Sequence, residues 1–398
     1  MPTTLKYAQT VNASSAAVYR AFTNATALRE WLADVATVDL RPNGRFFLAW
    51  NSGYYSTGKF IKLVGEKEVL FVWQGRDDPG PTKVQVKINP LDNGMTSFTL
   101  EHLELSNQGE WAAAFQQIER GWVQGIRNLV SQLEDGPDLR IVNRPMMGIQ
   151  FGEFEKRHAE ELGVPVNSGM RVDRVIDGLG TQAAGLKKND VIVSLEGKPS
   201  ADFASLVTIL QNKQAGERVE VGFYRGGEKK KLTMELSRRP VPEIPLTAAA
   251  LSAAVARNYS ASYAQLTEVL AGVNDETALR RIKPDEWNIK EIIAHLIHNE
   301  RDSQVWVNDL VFSQERVSDS WSGNLLARVQ ATASVYGSVE NLMEELRRAQ
   351  AETVALIAAL PDSFCANKGS FWRMGYQLIE FGIHIREHAA QIQEILNQ

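Results

Sequence analysis

Three prolines fall within residues 239–245, at Pro240, Pro242 and Pro245. Each fixes its own φ and removes a backbone donor, so neither a helix nor a central strand can run through this stretch, which is expected to be an extended connector. A second break, Glu134-Asp135-Gly136-Pro137-Asp138, follows a long helical pattern and cannot continue it. Together they cut the 398 residues into segments of roughly 135, 100 and 155 residues, each of ordinary domain size. The tryptophans divide the same way, five before residue 123, four after residue 286 and none between. A net charge of −5 argues against a dedicated nucleic-acid binder. The single cysteine, Cys365, cannot form an internal disulfide. No leader-like stretch opens the chain and no run is long and apolar enough to span a membrane, so a cytoplasmic protein is expected. The oligomeric state stays open, a dimer included.

The first segment reads helix, strands, helix. Ser14 and Ser15 are N-cap candidates for a short helix through Val18 and Phe22, and a further turn carries Leu28 and Trp31. Alternating apolar runs follow at 45–50, 69–73, 84–88 and 98–100, with Asp92-Asn93-Gly94 as a tight turn, which predicts an antiparallel meander. Ile118, Trp122, Ile126, Leu129 and Leu133 recur at helical spacing. With Gly58-Lys59-Phe60, Pro81-Thr82-Lys83-Val84 and Gly121-Trp122, this segment resembles the helix-grip, START-like (SRPBCC) superfamily, in its branch named for the activator of the heat-shock-protein ATPase. The resemblance implies a bent sheet gripping a long helix, with a cavity for a small apolar ligand or a surface for other proteins. Trp50, Trp73, Phe98 and Trp111 are the candidate lining of such a cavity; plain core packing is the other reading of the same aromatics. His102 has no partner in sequence that suggests chemistry.

The middle segment consists of short β-runs between glycine turns, with one helix expected at 202–211. Met146-Met147-Gly148-Ile149, Ala183-Ala184-Gly185-Leu186 and Glu196-Gly197-Lys198-Pro199 give it the look of a bacterial-type PDZ domain. That resemblance implies capture of C-terminal peptides as an added strand, with the carboxylate in the loop Met146, Met147, Gly148, Ile149 and with Leu206 and Leu210 walling a side-chain pocket. Arg144 is a possible electrostatic aid or a solvated charge, and the two leucines read equally as core. No Gly-x-Ser-x-Gly stretch is visible and neither flank looks like a protease, so protease activity is not expected.

Beyond the prolines the chain reads helical over 247–271, 288–313, 338–360 and 372–397, with Asn288 and Glu291 forming a capping box and Pro361 ending the third stretch. Four of the six histidines lie here. His384 and His388 are four apart, so they share one face of the last helix, at the edge of its apolar arc beside Phe381 and Ile395. His295 lies on the apolar side of the second helix with Ile292, Trp306 and Leu310, whereas His298 falls on a polar flank with Glu291 and Asp302. Three inward imidazoles on two helices are a donor set for one metal ion with open positions left over. Trp287 stands eight residues before His295, and with the late His384-x-x-x-His388 this resembles the DinB/YfiT-like metal-binding bundles. The resemblance implies a divalent metal, zinc or nickel, on His295, His384 and His388, with a low-molecular-weight thiol as cosubstrate. Asn299 and Glu380 are candidate groups behind the ligands.

The expected protein is therefore a multidomain α+β chain: a helix-grip α/β domain at 1–136, a PDZ-like β-sandwich or barrel at 141–239, and an all-α four-helix bundle at 246–398. Two functions fit it. One is a metal-dependent thiol S-transferase-type enzyme with attached peptide- and ligand-binding modules. The other is a non-enzymatic, co-chaperone-like adaptor with a structural metal site.

Overall fold

A computed structural model describes residues 3–152, 154–210, 213–284, 286–316 and 326–397. Two compact units emerge. The first comprises Met1–Trp50, Tyr54–Pro137 and Pro242–Gln398, and the second Asn51–Gly53 and Asp138–Val241. The chain thus leaves the first unit after Pro137 and re-enters it at Pro242.

The first unit opens with β1 (Thr3–Val11), α1 (Ser15–Thr23) and α2 (Ala25–Trp31), then β2 (Val35–Val38), β3 (Arg45–Ala49), β4 (Tyr55–Val64), β5 (Glu68–Gly75), β6 (Thr82–Pro90) and β7 (Thr96–Leu105). These strands form one antiparallel sheet in the order β1-β7-β6-β5-β4-β3-β2, and α3 (Ala112–Glu134) closes it through Trp122, Ile126 and Leu129. Ser14 caps α1, as expected, by accepting from the Ala17 N–H. Strands β3, β5, β6 and β7 are the four runs read from alternation, while β1, β2 and β4 are additional. His102 is buried in β7 inside a closed chain of hydrogen bonds. Trp122 Nε1–H donates to its Nδ1 at 2.9 Å, its Nε2 is 2.7 Å from Thr82 Oγ1, and Thr82 donates to the Trp73 carbonyl. It is a neutral core histidine, and burial pushes its pKa down to about 3.

The second unit begins with α4 (Leu139–Val142), β8 (Pro145–Met146), β9 (Ile149–Gly152), α5 (Lys156–Leu162), β10 (Met170–Val175), α6 (Gly180–Ala184) and β11 (Val191–Leu195). It ends with β12 (Lys198–Pro199), α7 (Phe203–Leu210), β13 (Arg218–Arg225), β14 (Glu228–Glu235) and β15 (Ser237–Arg238). Its main sheet has the order β14-β13-β11-β10-β9, with β12 on β11 and a separate β15-β8 pair. The helix expected at 202–211 is α7; Gln211 lies outside the described residues. Gly185 ends α6 at φ 86°, the left-handed conformation that makes the Ala-Gly-Leu stretch a turn.

The first unit resumes with α8 (Ala248–Val269), α9 (Ile289–Val311), α10 (Leu326–Tyr336), α11 (Val339–Ala358), α12 (Asp362–Cys365) and α13 (Lys368–Leu396). Thr247, Asn288 and Ser338 cap α8, α9 and α11, and Asn288 and Glu291 close the expected capping box. No helix among the described residues is long and apolar enough to cross a membrane.

Buried charges join the helix-grip part to the bundle. The Glu315 carboxylate, 3% exposed, pairs with Arg29 of α2 at 2.9 Å and with Arg373 of α13 at 2.8 Å, and accepts from Trp306 Nε1–H. Beside it Arg20 donates to both Glu30 oxygens, and Ser370 of α13 donates to Glu30 as well. Lys368 donates to the Glu134 carbonyl at the end of α3. Burial alone would raise the Glu315 pKa, but Arg373 and Arg29 outweigh it and hold the carboxyl below its usual range.

Two outcomes are expected. Glu315→Gln removes the buried carboxylate that Arg29 and Arg373 share and should lower stability to urea by about 3 kcal/mol at neutral pH. Because the folded pKa is depressed, that contribution is present above the ordinary value of 4.5 and fades as pH falls below it, so the gap between variant and wild type should close in acid. His102 gives the same sign at higher pH. The unfolded ring takes a proton near 6.5 and the folded ring only near 3, so its share of stability is complete above 6.5 and declines through that window by up to ~1.4 kcal/mol per pH unit. Urea unfolding of His102→Gln across that window should show a slope shallower by up to one proton; an unchanged slope would refute the buried neutral ring.

Candidate metal centre

The centre is built where α9 and α13 face each other. Asn288 accepts from the Glu291 N–H at 2.9 Å and Glu291 accepts from the Asn288 N–H at 3.0 Å, fixing the first turn of α9. Arg281 pairs with the same Glu291 at 2.7 Å. Trp287, just ahead of the cap, lies over His295 with ring centroids 4.9 Å apart, which gives the eight-residue spacing a physical role. On α13 the four-residue step sets His384 and His388 on one face.

Their Nε2 atoms converge. His384 Nε2 is 3.3 Å from His295 Nε2 and 3.0 Å from His388 Nε2, and the three candidate ligand atoms lie within 4.8 Å of one another. Three nitrogens bound to one ion at about 2.0–2.1 Å stand about 2.9–3.4 Å apart for angles between octahedral and tetrahedral, and the His384–His295 and His384–His388 separations both fall in that range. His295 is buried, while His384 and His388 are half-buried. Burial, then the neighbouring His388 and His295, push His384 down to about 4. Burial lowers His388 too, outweighing Gln391 and Glu387. Near neutral pH both rings are therefore uncharged and able to donate a lone pair.

Behind the rings stand amides. Asn299 Nδ2 lies 3.4 Å from His384 Nδ1, and Gln391 Oε1 lies 2.9 Å from His388 Nδ1. Asn299 was identifiable from its place one turn after His295; Gln391 was not singled out, although its step of three after His388 was a usable signal. Glu380 sits half-buried one turn before His384. His298 differs from expectation. It is buried, because α10 covers the flank that the sequence leaves polar: Nε2 is 2.9 Å from Thr332 Oγ1 and 3.2 Å from the Arg328 carbonyl. A second buried polar group on α9, Glu300, accepts from Tyr259 O–H and Thr353 O–H, and burial raises it to about 7. Burial and Asp362 raise the Cys365 thiol, which does not suit a nucleophile.

In the second unit Gly148 takes φ 81°, and a side chain there would meet Leu179 Cβ at 2.5 Å. Met147 is buried, and its carbonyl accepts from Thr181. Met146 lies in β8 and Ile149 begins β9. Leu206 is a buried core residue, and Leu210 packs half-buried against that core. Phe203, largely exposed on α7, meets Phe151 of β9 edge to face at 6.3 Å, a pair the sequence did not flag. In the helix-grip part the space between the sheet and α3 is about 20 Å³, room for about one water. Trp73 lines it with Phe22, Phe46 and Trp122, while Phe98 is fully buried in the core. Trp50 donates Nε1–H to the Leu32 carbonyl, and Trp111 precedes α3. An apolar ligand would have to displace packed side chains.

Comparison with known proteins gives three family matches in order. Residues 12–134 match Activator of Hsp90 ATPase homolog 1-like protein, residues 145–236 the PDZ domain, and residues 258–392 the DinB superfamily. The chain is similar to the periplasmic pH-dependent serine endoprotease DegQ of Escherichia coli, at 33% identity over 26% of this chain and 22% of that protein. It is 27% identical to a probable periplasmic serine endoprotease DegP-like protein of Marinomonas, over 40% of this chain and 34% of the relative. It thus spans only a fifth to a third of these relatives. Among solved structures, an HSP90 activator from Plasmodium falciparum matches at 21% identity and TM-score 0.28, covering 32% of this chain and 92% of that one. The Aha1 dimer from Colwellia psychrerythraea matches at 20% identity and TM-score 0.29, covering 34% and 98%.

Proposed function

We propose that this chain is a metal-dependent enzyme, of the thiol S-transferase type, whose bundle works beside a peptide-capturing module. The convergence of three imidazole Nε2 atoms carries this reading. His295, His384 and His388 would hold a zinc or nickel ion. Such an ion, when bound, stabilises a thiolate or polarises a carbonyl at its remaining positions. The chain's own residues prepare the place. Trp287 shields one face of His295, the half-buried edge of α13 leaves an approach to His384 and His388, and Asn299 and Gln391 aim the rings. A low-molecular-weight thiol is the cosubstrate that the resemblance to the DinB/YfiT-like bundles implies. The filled helix-grip interior favours a protein-contacting role for that part, and it is the one observation behind the second reading, an adaptor with a structural ion.

The second unit is proposed to bind C-terminal peptides. Its sheet has two unlike edges. β14 carries Glu228, Lys229, Lys230, Lys231 and Glu235, whereas β9 presents Ile149, Gln150, Phe151 and Gly152, with no charge. An uncharged edge invites an added strand, and a charged one discourages it. The peptide would run along β9 with its carboxylate at Met146, Met147 and Gly148, over a floor of Ile149 and Leu206 and beside Leu210.

Purified without chelator or histidine tag and loaded with zinc or nickel, the wild type should retain about one ion per chain by elemental mass spectrometry, and His384→Ala should retain none. No retained ion in the wild type would end the enzyme reading. A peptide with a free carboxyl end should bind the second unit at least about tenfold more tightly than its amidated form, the loss expected for a charge-assisted hydrogen bond. Equal affinities would displace the carboxylate from the Gly148 loop.

A further inference from the structure

We propose that the Arg281–Glu291 ion pair is a bracket that holds Trp287 against His295, which makes Arg281 a positioning residue for the metal centre. The inference rests on the metal centre proposed above.

Both peptide units that flank Trp287 are pinned by this one pair. Arg281 donates from Nη1 to the Glu286 carbonyl, in the peptide that enters Trp287. Glu291 accepts from the Asn288 N–H at 3.0 Å, in the peptide that leaves it. The pair itself is a two-pronged fork. Arg281 Nη1 is 2.7 Å from Glu291 Oε2, and Nη2 is 2.9 Å from Oε1. Asn288 also donates to Oε2, and Gln330 of α10 donates to Oε1 at 3.3 Å. The ordinary acceptor sites of the carboxylate are thereby used, and Glu291 is only 3% exposed. A peptide unit is planar, so fixing the two beside Trp287 fixes its two backbone dihedrals, and with them the direction in which its side chain leaves the chain.

That direction leads to a metal ligand. The Trp287 and His295 ring centroids are 4.9 Å apart, with the planes tilted by 41°. The torsion that turns an imidazole about its Cβ–Cγ bond has broad wells, so a histidine ring keeps one orientation only when something packs against it. The indole does so here, and His295 Nε2 stands 3.3 Å from His384 Nε2. His384 and His388 have side-chain amides beside Nδ1, whereas against His295 lies an aromatic face. A ligand already held in place gives up less freedom when an ion binds, so loss of the bracket is read as loss of metal affinity. Lysine cannot replace Arg281, because an ammonium is a point charge without the planar fork that meets both carboxylate oxygens.

The test uses the full chain, with zinc affinity measured by competition against a chelating dye and indole emission recorded without metal. Trp287→Leu should bind zinc about 10–100-fold more weakly, and Trp287→Phe should recover most of that loss. Arg281→Lys should weaken binding by a similar factor, yet add little in the Trp287→Leu background, because both changes act on the same ring. The part of the emission that Trp287→Phe removes should move to longer wavelength in Arg281→Lys, as the indole is released toward water. Asp302→Asn breaks a different ion pair of α9, that with Arg328 of α10, and should leave zinc affinity unchanged. Wild-type affinity in Trp287→Leu, full additivity of the two changes, an unmoved indole emission, or an equal loss in Asp302→Asn would each overturn the bracket alone. Zinc that never binds the wild type would overturn the metal centre and the role of Arg281 with it.

Discussion

The carboxylate of Glu315 is out of water, and the rest of the first unit is arranged around that fact. An isolated buried charge is costly, and this one is acceptable only with Arg29 and Arg373 in place and Trp306 donating. Arg29 comes from α2 of the sheet domain, while Arg373 and Trp306 come from α13 and α9 of the bundle, so the full set of partners is met only when the two assemble. Glu30 of α2, Arg20 of α1 and Ser370 of α13 repeat the device. Apolar contact between the halves would tolerate sliding. Paired ions and hydrogen bonds fix one register, and through Arg373 they fix the start of α13.

Further along α13 the problem is reversed. There the structure gathers three imidazoles that would repel one another if charged, and burial keeps His384 and His388 neutral. The groups found behind them are carboxamides. A carboxylate in that place would raise ligand basicity and offset the ion's charge, as in many histidine-bound zinc sites. At His384 and His388 the amides stand beside the rings without doing so.

What could be read from the sequence follows from where the information is stored. Local signals were sufficient for the helix starts at Thr247, Asn288 and Ser338, and for the pairing of His384 with His388, since caps and four-residue steps are short-range chemistry. Strands with one buried face, β5, β6 and β7, announced themselves by alternation. β1 and β4 did not, because most of their side chains are at least partly exposed and the buried ones are few. Helix α10 escaped for a related reason. Val329 and Thr332 are its buried residues, and it docks largely through polar links such as Arg328 to Asp302. Without it, His298 reads as a surface residue. The Glu315 cluster joins positions almost three hundred residues apart, and no local pattern encodes such a meeting.

Helix α13 also sets up a thermodynamic linkage. Its first turns are bonded to α3 and to Glu30 of the sheet domain, and its later turns carry His384 and His388. A ligand that binds only the folded state stabilises whatever unfolds together with its site. An ion on those histidines would therefore protect a β-sheet that contributes no ligand to it, and a chelator would loosen that sheet from a distance.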